Sequence, residues 1–367
     1  MIETLAPLVL PDALRRDHVV PERLRIPGYD AGYDFHTLFY DAVHMPDRGA
    51  LWLFAPKFAG FERLLPGMTL DGAPARVRRI RRFERYDIAE IAAPAAPRRL
   101  GVTAGDWSAE VMPSIADATT FAGRNVLLTL SRNNDLAWIA DWVRFHVAEH
   151  GADAVLFYDN GSQGYGPDEI LATLAPLPGL RAVRVLSAPF PYGPQARGRQ
   201  KFRANFLQAA LLNLSRWRFL APARAVLQCD VDELVDRRDG PPIFDATVAS
   251  RPQFIRIPGV WRFPDAGDRM PRHRDHILRG AEDRTCPPKY CIVPEGPMRD
   301  KSWATHGLHG TWFGKRFIHR EYRFLHCYGI SDFWKNRPKS AAAAAAAIDP
   351  EAQALFARAL PATPLTP

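Results

Sequence analysis

The chain has 367 residues, of which 47% are hydrophobic, 24% charged and 11% aromatic. A chain of this length and composition can bury a sizeable core without disulfides or structural metals, which excludes disordered and collagen-like classes. The formal net charge of +8 favours acidic partners, namely a nucleotide pyrophosphate, an anionic lipid surface or a nucleic acid.

The remaining composition narrows the class of protein. The arginines at 78–85 lie in one strand-like run without a nucleic-acid module around them, so nucleic acid is not expected as a partner. The four cysteines lack CxxC spacing, which indicates a reduced interior. No segment reaches the ~20 apolar residues that span a bilayer, and the N-terminus lacks a signal-peptide pattern. We expect a cytoplasmic protein and leave peripheral contact with the inner membrane open.

The chain divides into three predicted parts. Residues 1–115 are rich in Pro and Gly and hold short apolar runs, which predicts a small β-rich domain. Residues 116–338 form the predicted main domain. Residues 339–367 form a predicted helical tail, because seven alanines precede an Asp-Pro-Glu cap at 349–351.

Within the main domain, strands alternate with helices. Strands are predicted at 125–129, 154–158, 180–186 and 225–229, with further strands near 254–257 and 317–325. Helices are predicted at 135–150, from 166 onward and at 195–217. This alternation indicates an α/β fold with a mostly parallel sheet and helices on both faces. Ligands of such sheets bind at the carboxyl ends of the strands.

Two acidic residues follow the strand 225–229 directly. Because successive strand residues face opposite ways, Asp230 and Asp232 are expected to point to the same side. Paired carboxylates at a strand's carboxyl end suit Mg²⁺ or Mn²⁺. In sugar transfer, such a metal bridges the diphosphate and neutralises charge on the leaving group. The same spacing alone is also typical of a strand that ends in solvated acids.

Three more segments stand in a fixed order with the Asp-Val-Asp-Glu of 230–233. They are Leu-Ser-Arg-Asn-Asn at 130–134, a Trp-rich helix at 138–146 and Tyr-Asp-Asn-Gly-Ser at 158–162. Over roughly residues 125–338, this series closely resembles the GT-A glycosyltransferases of the family 2-like and family 92 kind. The resemblance implies a Rossmann-like GT-A fold and inverting transfer from a UDP-sugar with Mn²⁺ or Mg²⁺. It also implies a glycan or glycolipid acceptor in bacterial surface polysaccharide synthesis.

The resemblance implies donor-side roles for the tips of the first two strands. Asp159 would hydrogen-bond the nucleotide base, while Asn160 and Ser162 would shape its loop. Arg132 and Asn133 would line the same pocket. The family usually has Glu after this Asn, whereas this chain has a second Asn, so a charge is missing near the donor pocket.

The resemblance also implies roles near the metal. Asp230 would meet the ribose or a metal-bound water, and Asp232 would ligate the metal directly. A histidine usually completes the metal shell, and three residues compete for this role: His306, His309 and His326. Paired histidines without cysteine or carboxylate partners at zinc-finger spacing do not indicate a structural zinc site.

Further candidates follow from charge and position along the chain. Lys201 belongs to a basic run that would hold the pyrophosphate, or that is merely solvated. The segments similar to the family's acceptor side give Trp261, Arg262 and Lys289. Inversion requires a carboxylate base near the acceptor hydroxyl, and the candidates are Glu282, Asp283 and Asp265.

Two other functions remain open at this point. A nucleotidyltransferase also binds nucleotide and metal, but it would need a Gly-rich phosphate loop with lysine, which 131–134 does not provide. A catalytically impaired protein that binds nucleotide sugars or glycans on the same fold is the second alternative.

Overall fold

The computed structural model describes residues 1–198, 204–310, 317–319, 321–331 and 347–361. The fold is mixed α/β, with a nine-stranded sheet, a five-stranded sheet and a four-stranded sheet. Among the described residues, no helix is both long enough and apolar enough to cross a membrane.

The N-terminal part is β-rich. Its short helix is α1 (Tyr29–Gly32), and 3-10 turns cover Glu22–Leu24, Pro46–Arg48 and Phe61–Gly67. Its strands are β1 (Ile2–Glu3), β2 (Leu8–Val9), β3 (Thr37–Phe39), β4 (Asp41–Met45), β5 (Ala50–Ala55), β6 (Thr69–Leu70), β7 (Ala73–Pro74), β8 (Val77–Arg82), β9 (Asp87–Ala92), β10 (Leu100–Ala104), β11 (Trp107–Val111) and β12 (Ser114–Ile115).

Two larger sheets and the two-stranded sheet β2-β3 form this part of the chain. The five-stranded sheet has the order β12-β4-β5-β9-β8, and the four-stranded sheet has the order β11-β10-β6-β7. Strand β1 belongs to neither, because it pairs parallel to a strand of the nine-stranded sheet.

The rest of the chain supplies the other elements. The helices are α2 (Leu136–His150), α3 (Pro167–Leu174), α4 (Phe206–Ser215), α5 (Ile243–Ala249) and α6 (Pro350–Ala359), with a π turn at Arg216–Leu220 and a 3-10 turn at His273–Asp275. The strands are β13 (Asn125–Ser131), β14 (Ala154–Asp159), β15 (Ala182–Ser187), β16 (Ala225–Gln228), β17 (Glu233–Asp236), β18 (Phe254–Arg262), β19 (Leu278–Arg279), β20 (Thr285–Ile292), β21 (Trp303–Ala304), β22 (Gly307–Leu308), β23 (Arg323–Cys327) and β24 (Ala347–Ile348).

The nine-stranded sheet has the order β1-β15-β14-β13-β16-β20-β18-β23-β17. The strands from β1 to β16 are parallel neighbours, whereas β20 is antiparallel to both β16 and β18. Strand β18 is again parallel to β23, so five of the eight neighbouring pairs are parallel and the sheet is mixed. Antiparallel neighbours need no helical crossover, and residues 263–284 between β18 and β20 hold only β19 and a 3-10 turn.

Alternate residues of the central strands face two different cores, as the pleat requires. Leu127 and Val155 pack with helices α2 and α6 on one face. Val126 and Leu156 pack on the other face with α4 and with residues of the five-stranded sheet, including Trp52. The hydrophobic core is therefore continuous between the N-terminal sheet and the nine-stranded sheet.

Several element boundaries agree with the sequence analysis. The predicted helix at 135–150 is α2, whose N-cap Asp135 accepts a hydrogen bond from the Ala137 N–H. The predicted helix at 195–217 is wrong at its start, since α4 begins at Phe206. Gly193 has a positive φ of 103°, and Ala196 forms an isolated bridge with Arg25, so residues 193–196 are not helical. Residues 199–203 and most of the alanine run lie outside the described residues.

Candidate functional site

Two carboxylates and an imidazole meet beyond the carboxyl end of β16. Glu233 begins β17, and the antiparallel register of β17 and β23 places it opposite His326. The Nε2 of His326 lies 3.0 Å from Oδ2 of Asp232. One ligand atom from each of Asp232, Glu233 and His326 lies within 4.8 Å of the others, which is compact enough for a shared ion.

A buried lysine lies against this cluster. Lys289 of β20 is fully buried, and its Nζ lies 2.6 Å from Oδ2 of Asp230 and 3.1 Å from Oε2 of Glu233. The Asp230 N–H also donates to Oε2 of Glu233, at 2.8 Å. The other oxygen of Asp230, Oδ1, is buried and has no hydrogen-bond partner among the described residues.

The charges of these groups depend on each other. Burial raises the pKa of Glu233 to about 7, and Asp230 and Asp232 contribute to this increase. Burial opposes the charge of His326, but Asp232 outweighs it and raises the pKa of His326 to about 10. Burial likewise opposes the charge of Lys289, yet Asp230 and Glu233 hold its pKa above the ordinary value. At neutral pH, His326 and Lys289 therefore both carry a positive charge beside these carboxyl groups.

An aromatic ring fixes the histidine. Trp261 of β18 lies opposite His326 of β23 in their parallel register. The two ring centroids are 3.8 Å apart and the planes differ by 18°. Stacking of this kind restricts ring orientation, so the position of Nε2 relative to Asp232 is constrained by a second strand.

The cluster borders a cavity of about 910 Å³. Asp230, Asp232 and His326 lie on its wall together with Leu130 and Asn134 from the end of β13. Both aspartates therefore line one cavity, although β16 ends at Gln228 and they lie in the turn after it rather than at alternate strand positions. A volume of this size lies within the roughly 300–1,000 Å³ range of ligand pockets.

The N-terminal sheet contributes to the same wall. Glu84 and Arg85, in the turn between β8 and β9, line the cavity together with His306 and His309. The Nδ1 of His309 lies 3.0 Å from Oε2 of Glu84. Burial lowers the pKa of His306 to about 4. Of the three predicted histidine ligands, His326 is the one that meets the acids, while the other two lie elsewhere on the wall.

Polar side chains from α4 and its surroundings complete the cavity. Tyr192 Oη and Thr305 Oγ1 both donate to Oε1 of Gln208. Asn134 lies between Ser131, to which it donates, and Ser331, from which its Oδ1 accepts a hydrogen bond of 2.7 Å. These contacts fix the amides on a wall suited to a polar ligand.

No protein-family model matches the sequence, and no curated protein matches it. The glycosyltransferase resemblance therefore depends on the quoted motifs and on the geometry of this site.

The predicted nucleotide loop is held by its own hydrogen bonds. The carboxylate of Asp159 accepts from the Oγ and the N–H of Ser162, and Ser162 Oγ accepts from the N–H of Asn133 at 2.8 Å. Asn160 Nδ2 donates to two backbone carbonyls, at positions 188 and 190. Arg132 is exposed. These hydrogen bonds join the two loops, but the described residues that line the cavity do not include Arg132, Asn133, Asp159, Asn160 or Ser162. The cavity is lined in this region by Leu130 and Asn134, neither of which was predicted.

The predicted acceptor-side and base residues are placed differently. Arg262 is buried and pairs with Asp283 at 2.8 Å and with Asp349 at 2.6 Å. Arg262 and the equally buried Lys289 are therefore not free to contact an acceptor. The base candidates Glu282, Asp283 and Asp265 are exposed and are not among the described residues that line the cavity. Lys201 lies outside the described residues.

The position of Glu233 beside Asp232 and His326 was not predicted from the sequence. The available signal was its position directly after Asp232 in a strongly acidic turn. Nothing local indicates that it turns back toward His326, because that contact depends on pairing with a strand some ninety residues later.

Proposed function

We propose that the protein is a metal-dependent glycosyltransferase that transfers a sugar from a UDP-sugar to a hydroxyl of a glycan or glycolipid acceptor, with inversion. In this proposal the nine-stranded sheet is a GT-A core. One observation carries the proposal: the cluster of Asp232, Glu233 and His326 borders the 910 Å³ cavity beyond the carboxyl end of a parallel strand, where α/β folds bind ligands.

The residues of the cluster fit a divalent cation. Carboxylate and neutral imidazole ligands suit Mn²⁺, and carboxylates suit Mg²⁺. A bound ion would therefore displace the proton that His326 carries at neutral pH. The buried Oδ1 of Asp230, which lacks a hydrogen-bond partner among the described residues, is a further oxygen for the ion or for its water. When bound, the cation neutralises charge on the diphosphate leaving group.

The chain itself positions the ligand-binding groups. Trp261 holds the ring of His326, and Lys289 holds the carboxylates of Asp230 and Glu233. The hydrogen bonds from Tyr192 and Thr305 fix Gln208 against the cavity. Preorganised polar groups of this kind bind a hydroxyl-rich ligand without first having to be ordered.

Inverting transfer needs a base at the acceptor hydroxyl. Among the described residues on the cavity wall, Glu84 is the carboxylate other than Asp230 and Asp232. Its partner His309, at 3.0 Å, orients it. Glu84 is therefore the base candidate that the cavity favours over Glu282, Asp283 and Asp265.

Nucleotide-sugar hydrolysis tests the proposal. A panel of UDP-, GDP- and ADP-sugars is incubated with the protein, with and without Mn²⁺, and released nucleotide diphosphate is measured. We expect metal-dependent release from a UDP-sugar. Asp232→Asn should reduce it by about 100-fold or more, while Asp239→Asn, at an exposed position, should leave it unchanged. Hydrolysis that is indifferent to Mn²⁺ and to Asp232→Asn would contradict the proposal.

A binding protein of the same fold is the second candidate. It is favoured by the position of the three sequence-predicted base residues away from the cavity wall. Calorimetric titration of UDP separates the two functions. Mn²⁺-dependent binding of UDP without hydrolysis of any donor, in the presence of a panel of glycan acceptors, would indicate binding without turnover.

A further inference from the structure

The ammonium of Lys289 lies against the cluster of Asp232, Glu233 and His326. The side chain is fully buried between Asp230 and Glu233, and the Nζ lies within 3.1 Å of both carboxylates. It comes from β20, which is paired with β16 through three successive residues. The ammonium is therefore fixed by the sheet rather than by a mobile surface chain.

The contact with Lys289 occupies one carboxylate oxygen of Glu233, which a cation then cannot use. Oε2 of Glu233 already accepts from Lys289 and from the N–H of Asp230. The other oxygen, Oε1, lies on the side of His326, 3.9 Å from its Nδ1. A cation in the cluster can thus use Oε1 of Glu233 while a fixed positive charge remains bound to the same carboxylate.

A fixed positive charge beside a cation site raises the energy of the bound cation. In a buried environment this repulsion is screened much less than in water. The two phosphate groups of a diphosphate would offset the repulsion between Lys289 and the cation, because they add negative ligands on the cavity side. The arrangement therefore discriminates between a free divalent cation and a cation that arrives with a diphosphate.

We propose that Lys289 is an internal counter-ion that weakens the binding of a free divalent cation to Asp232, Glu233 and His326, so that the cation binds tightly only together with a nucleotide diphosphate. Lys289 is a positioning residue here, because it acts through Asp230 and Glu233. The role of the diphosphate rests on the proposed function, whereas the effect of Lys289 on the metal alone does not.

Metal binding without turnover tests this proposal. Free Mn²⁺ is measured by electron paramagnetic resonance during titration of the wild-type protein, Lys289→Met and Lys289→Arg. We expect Lys289→Met to bind Mn²⁺ about tenfold more tightly than wild type in the absence of nucleotide. Lys289→Arg keeps the charge and should bind like wild type. Lys301→Met, outside the cluster, is the matched control and should also bind like wild type.

The second measurement, of the coupling between Mn²⁺ and UDP, starts with the wild-type protein. UDP should increase its affinity for Mn²⁺ by about tenfold or more, after correction for the Mn²⁺–UDP complex in buffer, and Mn²⁺ should increase its affinity for UDP by the same factor. In Lys289→Met this coupling should be much smaller. The measurement keeps the proposal testable if Lys289→Met, checked by circular dichroism, does not fold.

The outcomes separate the two proposals. Equal or weaker Mn²⁺ binding by folded Lys289→Met, or a wild-type Mn²⁺ affinity that UDP does not change, overturns the role of Lys289. Absence of Mn²⁺ binding by wild type under every condition overturns the metal-dependent function itself. The counter-ion role is supported if Lys289→Met binds Mn²⁺ more tightly than wild type and loses the coupling between Mn²⁺ and UDP.

Discussion

The imidazole of His326 lies flat against the indole of Trp261, with ring centroids 3.8 Å apart and planes 18° apart. Its Nε2 lies 3.0 Å from Asp232. The ring is therefore fixed by an aromatic contact on its face and by an acid at its edge. Mutation of a group that orients a metal ligand typically costs about 10- to 100-fold in metal affinity or activity.

Trp261→Ala is expected to weaken Mn²⁺ binding by about 10-fold, because the ring of His326 loses its orientation. Trp261→Phe keeps a stacking face and should retain most of the affinity. Calorimetric titration with Mn²⁺ measures both. Trp107→Ala, in a hairpin of the N-terminal part, serves as control, and a Trp261→Ala protein with wild-type affinity would show that the stacking is irrelevant.

Gly193→Ala is expected to destabilise the protein by about 2 kcal/mol or more. Gly193 has a φ of 103°, and an added Cβ would lie 1.9 Å from the carbonyl oxygen of Ala204. The substitution should also impair ligand binding, since Gly193 lines the cavity. Urea denaturation measures the loss. Gly164→Ala meets no atom within 4 Å and should have a much smaller effect; equal effects at both positions would refute the steric argument.

Arg262→Met is expected to cost about 3–5 kcal/mol. It removes the nearer cation from the buried carboxylate of Asp349, which keeps Arg323 at 4.0 Å and its capping hydrogen bonds to α6. Asp283→Asn removes the half-exposed partner of the same arginine and should cost less than about 1 kcal/mol. Urea denaturation of the two variants gives the comparison. A larger loss in Asp283→Asn would contradict the assignment.

Acidification is expected to destabilise the protein through His150. Burial lowers the pKa of His150 to about 4, and the neutral ring is held by contacts of Nε2 with the Val235 carbonyl and of Nδ1 with the Ile243 N–H. The unfolded state binds the proton first, near pH 6.5. Stability is therefore full above that pH and is lost as the pH falls toward 4, by on the order of 3 kcal/mol.

Urea denaturation between pH 7 and pH 4.5 measures this effect. His150→Gln should be less stable than wild type at pH 7 and should lose less stability on acidification. If both proteins show the same slope with pH, the loss does not come from His150.

The sequence was informative where the signals are local. Asp135 before an apolar helical run predicts the start of α2, and Gly151 ends that helix in the left-handed region. The spacing of Asp230 and Asp232 after an apolar strand predicts that both face one cleft. In each case the deciding contacts lie within a few residues.

The sequence was uninformative where strand pairing decides the outcome. The sequence predicts Lys289 as an acceptor-binding residue. The register of β20 beside β16 instead brings it to Asp230, which lies 59 positions earlier in the chain. Arg262 similarly meets Asp349, 87 positions later. A charged side chain in isolation looks the same whether it faces solvent or a buried partner.

The turn between β8 and β9 places residues of the N-terminal sheet on the cavity wall. Phe83 stacks on Tyr86, whose hydroxyl contacts Ser302, while Glu84 and Arg85 line the cavity. A chimera that took only the nine-stranded sheet from this protein would lack the side of the cavity that Glu84 and Arg85 form. Randomising these two positions would instead change one side of the cavity and leave Asp232, Glu233 and His326 intact.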